Sequence, residues 1–278
     1  MFLVTGASGF VGRAVTKNLE NRNIPYIAVK HDHNLEALVI DRDELSAVIH
    51  LAAHARYRER SKNKLLKGNV TFTRRLLDAV AESSNGPIFV FASTIGVLDR
   101  RYGEVSSGPL TSTSSPAPQS HYGESKLQAE LLIKQSDLPC AIVRLPWIYG
   151  DGMRPDSHLR FLHGLPKLVR TVGGQITRGR VSVLSVADAA DVLVEAAVQQ
   201  VNAGVFMPAE RLPVALKNVL RHELDISQVQ PSFLPGSTLT SRLPFNVRVL
   251  LEDALVVEPN TANQIGWSPA QSFQDWSP

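Results

Sequence analysis

Short apolar runs alternate with helical stripes along most of this chain. Phe2-Leu3-Val4 is a continuous apolar run, and Val11, Ala14, Val15 and Leu19 follow at helical spacing as far as Glu20. Such runs predict strands, and the spacing predicts an amphipathic helix packed on them. Residues 26–29 predict a second strand, 37–40 a third ending at Asp41, and 47–51 a fourth. The crossover from Asp41 to Ser46 is too short for more than a helical turn.

Leu65, Leu66, Val70, Phe72, Leu76, Leu77 and Val80 form a stripe that predicts one long helix over residues 62–82. Its polar exception, Asn69, is read either as a solvated position or as a structural hydrogen-bonding one. Residues 87–92 predict a fifth strand buried on both faces. Residues 95–120, rich in Ser, Pro and Gly, predict a long irregular loop of the kind that is functional or disordered. A helix then opens near His121, and residues 141–145 form a sixth strand. Further on, 181–184 resemble a strand, while 188–200 and 214–223 predict helices.

This alternation predicts an α/β fold: a doubly wound parallel sheet with a smaller C-terminal lobe assembled from later segments. The sheet domain spans residues 1–150, joined by 181–203. The remainder, mainly 151–278, forms the lobe.

The turn between the first strand and helix reads Thr5-Gly6-Ala7-Ser8-Gly9-Phe10-Val11-Gly12. Gly6 lets the chain leave the strand in a conformation that a side chain penalises. Gly9 leaves room for a pyrophosphate to reach N–H groups at the helix N-terminus. Gly12 lets the helix lie close on the sheet. In this setting the triplet predicts a Rossmann-type dinucleotide site. The residue ending the second strand then meets the adenosine ribose. That position falls on Lys30, followed by His31, and a base there favours NADP over NAD.

Composition narrows the reading. Of 278 residues, 44% are hydrophobic and 20% charged, as in ordinary globular proteins. The net charge of +3 is scattered, which argues against a nucleic-acid partner. A single cysteine, Cys140, allows no disulfide within the chain and is read as a buried strand residue. His50 and His54 lack companions at ligand spacing, so they are read as structural and no metal site is expected. No apolar run approaches the length of a membrane span. The glycine turn begins too early to leave space for a signal peptide, and a cytoplasmic protein is expected.

The strongest chemical signal is Tyr122-Gly123-Glu124-Ser125-Lys126, which puts Tyr122 and Lys126 on one helix face. An ammonium there, with a positively charged nicotinamide, would lower the tyrosine pKa from about 10. Such a tyrosine exchanges a proton with an alcohol while hydride moves to or from the nicotinamide. A third partner, a short hydroxyl at a strand end, is supplied by Ser93-Thr94.

These stretches, with His50-Leu51-Ala52-Ala53 and Arg144-Leu145-Pro146-Trp147-Ile148-Tyr149-Gly150, stand in the order found in extended short-chain dehydrogenase/reductases. The chain resembles their NAD-dependent epimerase/dehydratase family, through Ser185-Val186-Ala187-Asp188 to Gly266-Trp267-Ser268-Pro269. It looks closest to bacterial sugar-nucleotide 4-epimerases and 4-ketoreductases of surface-polysaccharide pathways.

The resemblance implies that Tyr122 is the acid/base, that Lys126 orients the cofactor ribose and tunes the tyrosine, and that Thr94 bonds the reacting oxygen, with Ser93 the neighbouring candidate. Gly6, Gly9, Phe10 and Val11 would line the pyrophosphate. Lys30 and Asp41 would face adenosine, with Ala52 and Ala53 beside the ribose. Ser8, Gly12, His31, Leu51, Asn69 and Leu145 complete the implied NAD(P) site. A nucleoside-diphosphate sugar would meet Thr94, Tyr122 and arginines of the covering segment: Arg180 first, then Arg178, among Arg154, Arg160, Lys167 and Arg170.

The implied activity is C4 epimerisation through a 4-keto sugar. The alternatives are net NADPH-dependent 4-ketoreduction and an NADP-binding sensor or scaffold without turnover. A homodimer through the helices near 62–82 and 122–135 is a further family expectation. Lys30 replaces the acid of NAD-dependent members, Leu98-Asp99 stands where Tyr-Gly is common, and Ser185 stands where His is common.

Overall fold

The first strand, β1 (Phe2–Thr5), runs through the glycine turn into helix α1 (Phe10–Asn21), and β2 (Tyr26–Val29) returns alongside β1. The computed structural model describes residues 1–29, 44–54, 61–81, 86–98, 108–153, 179–202, 204–216, 218, 253 and 255–276. The strand expected at 37–40 lies outside them. After it come β3 (Ala47–His50), β4 (Ile88–Thr94), β5 (Cys140–Leu145) and β9 (Val205–Phe206). They complete a parallel sheet in the order β2-β1-β3-β4-β5-β9.

Alternation along each strand builds two cores. Phe2, Val4, Ile49, Val90 and Val143 face α1 and α5 (Val186–Val198), with Trp267 closing that layer. Leu3, Val48, Phe89, Phe91 and Ile142 face the opposite way, against α3 (Phe72–Ala81) and α4 (His121–Gln135). Both faces are buried, which is why the strands read as continuous apolar runs.

The stripe expected to form one helix is interrupted. α2 (Lys62–Leu65) passes into a π-helical turn (Leu66–Thr71) before α3 begins. The wider turn is where Asn69 is buried with its hydrogen bonds satisfied, although the apolar stripe runs through it unbroken.

The strand expected at 181–184 is split. β7 (Arg180–Val181) pairs antiparallel with β10 (Val214–Ala215), and β8 (Val183–Ser185) pairs parallel with β6 (Trp147–Tyr149). Ser182 sits at the change of partner and accepts the Val257 N–H on its hydroxyl. Val214 and Ala215 therefore begin a strand where a helix was expected, because pairing with β7 outweighs their local pattern. A short helix, α6 (Thr261–Ile265), precedes Trp267. A third core joins Ile95, Val97, Tyr149, Val181, Val183 and Phe273 beyond the ends of the main strands. No helix among the described residues is long and apolar enough to cross a membrane.

Candidate active site

The glycine turn is shaped by contact as much as by backbone freedom. Gly6 has φ +73°, and a Cβ there would lie 2.6 Å from the Ala52 nitrogen. A Cβ at Gly12 would collide with the Gly6 carbonyl and the Ala7 backbone, so Gly12 seats the helix on the turn itself. Gly9 is the N-cap of α1 in extended conformation, with no side-chain cap and no acid in the first turn. Ser8 and Gly9 are exposed, and Phe10 and Val11 are half-buried behind them. An uncapped helix start with a positive end and a glycine-cleared approach suits the pyrophosphate of a dinucleotide. Arg13 braces this turn, donating from Nη1 to Ser8 O at 2.9 Å and from Nη2 to Gly152 O at 3.4 Å. A cleft of about 880 Å³ opens beside Phe10 and Arg13, toward Gly150 and Asp151.

Leu51, Ala52 and Ala53 leave β3 alongside Gly6, half-buried. The Ala52 N–H donates to Thr5 Oγ1 at 3.1 Å, and Thr5 Oγ1 lies 2.6 Å from His50 Nδ1. On the other side of the ring, His50 Nε2 lies 2.8 Å from Thr73 Oγ1, whose own hydrogen goes to Asn69 O at 2.5 Å. With that hydrogen committed, Thr73 must accept from His50. The ring is then neutral and protonated on Nε2, and Thr5 donates to Nδ1. Burial among Phe72, Phe89 and Phe91 pushes the His50 pKa well below 6.5, with Lys126 opposing its charge. His50 is a structural histidine. Among the described residues no group of three His, Cys, Asp or Glu could hold a metal.

Asn69 carries the network to α4. Its Oδ1 accepts the His54 N–H at 2.6 Å, and its Nδ2 donates to Ser125 Oγ at 2.9 Å. Ser125 in turn donates to the Tyr122 carbonyl at 2.8 Å.

α4 begins at Ser120, whose Oγ caps the Gly123 N–H at 3.0 Å. A Cβ on Gly123 would strike the Gly96 carbonyl oxygen and sit 3.1 Å from Pro118 Cβ. Gly123 thus allows the first turn of α4, with Tyr122, to press on the turn that follows Thr94. Thr94 Oγ1 accepts the Gly96 N–H at 3.1 Å, leaving its hydrogen to donate elsewhere.

Burial holds the Tyr122 phenol protonated, its pKa pushed up to about 12. The lowering expected from Lys126 is not the balance struck by the protein alone. Lys126 is only 2% exposed, with Nζ 3.9 Å from the centre of the Phe91 ring. Burial lowers its pKa to about 7, so its ammonium is only partly populated at neutrality, and the charge of Glu130 works against that drop.

Ser93 is turned elsewhere, donating to Glu130 Oε1 at 2.5 Å. Arg144 grips the same carboxylate, Nε to Oε1 at 3.0 Å and Nη2 to Oε2 at 2.8 Å, and both side chains are almost fully buried. Glu130 and Arg144 were not anticipated from the sequence. The available signal was an acid four residues beyond Lys126, a spacing that ordinarily marks a solvated pair. Leu145 pairs with Thr94 across β4 and β5 and is buried in the first core.

Arg180 takes a partner outside this group. Val181 packs with Ile95 and Val97, so Arg180, next along the strand, projects to the opposite side. There its guanidinium meets Asp253, with Nε 3.1 and 3.2 Å from the two oxygens and Nη2 2.5 Å from Oδ2. It borders a cleft with Arg211 and Asn218. Lys30, His31, Asp41 and Arg178 lie outside the described residues, as do Arg154, Arg160, Lys167 and Arg170.

The later motifs tie the chain end to this frame. Ser185 caps α5, and Asp188 accepts the N–H groups of Ala270 and Gln271 at 2.9 and 3.0 Å. Tyr149 donates to Glu210 at 2.6 Å, and Glu210 also takes the Phe273 N–H.

A family model described as the NAD dependent epimerase/dehydratase family matches residues 2–204. The chain is 26% identical over 160 residues to methionine adenosyltransferase 2 subunit beta of Danio rerio, covering 54% of this chain and 48% of that protein. It is 32% identical over 190 residues to an uncharacterized UDP-glucose epimerase of Bacillus subtilis, covering 55% and 58%. The chain thus spans about half the length of the curated relatives it matches. In fold it is similar to the UDP-glucose 4-epimerase of Thermus thermophilus in complex with NAD. The TM-score is 0.71 at 18% identity, over 99% of this chain and 95% of that one.

Proposed function

The chain belongs to the NAD dependent epimerase/dehydratase family, and on that premise we propose that it epimerises C4 of a nucleoside-diphosphate sugar through a 4-keto intermediate. The proposal rests on the seating of α4, where Gly123 against Gly96 sets Tyr122 beside the turn after Thr94 and Lys126 lies buried one helical turn on. The substrate class follows the UDP-glucose named for the Bacillus and Thermus relatives.

A nicotinamide bound here would supply the hydride acceptor and donor. Phe10 and Val11, at the uncapped start of α1, would hold its pyrophosphate, with Gly6 and Gly9 clearing the approach and Ala52 and Ala53 on the ribose side. Lys30 tips the choice toward NADP over NAD. Tyr122, as the phenolate that Lys126 and a bound nicotinamide would favour, takes the proton from the C4 hydroxyl as the carbonyl forms and gives it back when the carbonyl is reduced. Thr94 donates its free hydrogen to the same sugar oxygen. Lys126, as an ammonium, stabilises the phenolate that Tyr122 becomes.

A second reading, net reduction of a 4-keto sugar, is favoured by the protonated state of Tyr122, because a phenol must donate to the new alkoxide. Proton NMR of purified protein with UDP-glucose, UDP-galactose and 4-keto nucleotide sugars, with NAD or NADPH, separates these readings. Interconversion of C4 epimers without net cofactor loss supports epimerisation. NADPH consumed mole for mole with a keto sugar supports reduction. Cofactor binding without turnover of any of them would leave a binding role.

A further inference from the structure

Beneath the proposed site lies a buried charge group that the reaction does not use directly. Glu130 follows Lys126 by one helical turn and is 1% exposed. Its two oxygens take Ser93 Oγ, Arg144 Nε and Arg144 Nη2 at 2.5, 3.0 and 2.8 Å. The third guanidinium nitrogen, Nη1, is buried and meets no acceptor among the described residues, so Arg144 commits its charge to Glu130. Ser93 neighbours Thr94 and pairs in register with Arg144. The network therefore binds β4, α4 and β5 together below Thr94, Tyr122 and Lys126.

A buried ion pair is weak evidence for stability, since apolar residues of equal volume often serve as well. A role beyond packing is needed to account for it. We propose that Glu130 is a positioning residue for the reaction proposed above: clamped by Arg144 and Ser93, its carboxylate is fixed one turn from Lys126 and holds that amine as an ammonium in a pocket that otherwise disfavours charge.

The surroundings of Lys126 support this role. From α4 it is faced by Tyr122, protonated, and by Glu130. From β3 comes the neutral His50, from β5 Arg144 across the carboxylate, and from β4 the uncharged Phe91 ring. Glu130 is the one anionic group in that set. Burial lowers the Lys126 pKa to about 7, and Glu130 is the influence that raises it. Without that carboxylate the amine would lose more of its charge, and with it the charged donor that stabilises a phenolate or holds a ribose hydroxyl.

The test titrates Lys126 directly, in full-length protein carrying lysine labelled with carbon-13 at Cε, the resonance being assigned by its loss in Lys126→Arg. Glu130→Gln with Arg144→Met removes both charges together and strands neither. Its Lys126 midpoint is expected about one pH unit below wild type, a tenfold change in the ammonium-to-amine ratio. Arg144→Lys, which keeps both charges, is expected to titrate as wild type. Should the double variant fail to fold, Glu130→Asp withdraws the carboxylate while keeping its charge, and a smaller downward shift is expected. An unchanged midpoint in the double variant, or in Glu130→Asp where the double variant does not fold, overturns the proposal. No sugar nucleotide enters the titration, so a protein without turnover leaves this inference standing, and an unmoved midpoint leaves the proposed reaction standing.

Discussion

Gly123 and Gly96 approach so closely that the carbonyl oxygen of one occupies the space where a side chain of the other would begin. This contact sets how far the first turn of α4 advances toward the end of β4, and with it the separation of Tyr122 from Thr94.

Gly123→Ala therefore forces α4 back by a fraction of an ångström to an ångström. Misplacement on that scale costs on the order of 100-fold in rate. The expected outcome is a kcat lowered about that much with little change in cofactor affinity, measured by steady-state turnover and calorimetric titration with NAD. Equal losses in both would point to a general collapse of the site.

Gly12→Val puts a branched side chain into the Gly6 carbonyl and disrupts the turn. Cofactor binding is expected to disappear, and the melting temperature to fall by several degrees, the response of a chain of this size to about 1–2 kcal/mol. Thermal melts with and without NAD check this: wild type is stabilised by ligand, and the variant is not.

The buried lysine makes stability depend on pH. Its pKa is lowered from 10.5 to about 7 on folding, so between those values the unfolded chain binds the extra proton and stability rises with pH. Cofactor-free protein is expected to gain about 2 kcal/mol between pH 7 and 9, and Lys126→Met to lose that rise. Tyr122, raised to about 12, acts oppositely: the folded state keeps its proton longer, and stability falls between pH 10 and 12. Denaturant unfolding across this range reads both slopes.

Much of this was legible in the sequence, for identifiable reasons. Strands buried on both faces are written as unbroken apolar runs, and the glycine turn and the Tyr122/Lys126 spacing are local features. What escaped depends on partners distant in the chain. Asn69 sits in a π-helical turn because its carboxamide reaches His54 and Ser125, and the apolar stripe passes through it unchanged. Arg180 was expected on a diphosphate. Which side of β7 faces the third core is decided by Val181, one residue away, and strand alternation then sends Arg180 to Asp253. Glu130 was not singled out in the sequence, because its partner Arg144 lies on a strand and not on the same helix.

Lys30 carries the expected preference for NADP. Lys30→Asp is expected to weaken NADP binding at least tenfold while leaving NAD binding the same or tighter, because a carboxylate repels the 2′-phosphate and accepts from the ribose hydroxyls of NAD. Fluorescence titration with each reduced cofactor measures the ratio. Equal affinities for both cofactors in wild type and variant would remove Lys30 from the adenosine site.

The most direct measurement is turnover by wild type and Tyr122→Phe, each loaded with cofactor, of a UDP-hexose carrying deuterium at C4. Wild type is expected to interconvert the C4 epimers with the deuterium retained. The variant, which binds cofactor but has no phenolic proton to exchange, is expected to fall by a factor of about 100 or more. Equal rates in the two proteins, or epimerisation with the label washed out to solvent, would contradict proton transfer by Tyr122 coupled to hydride transfer at C4.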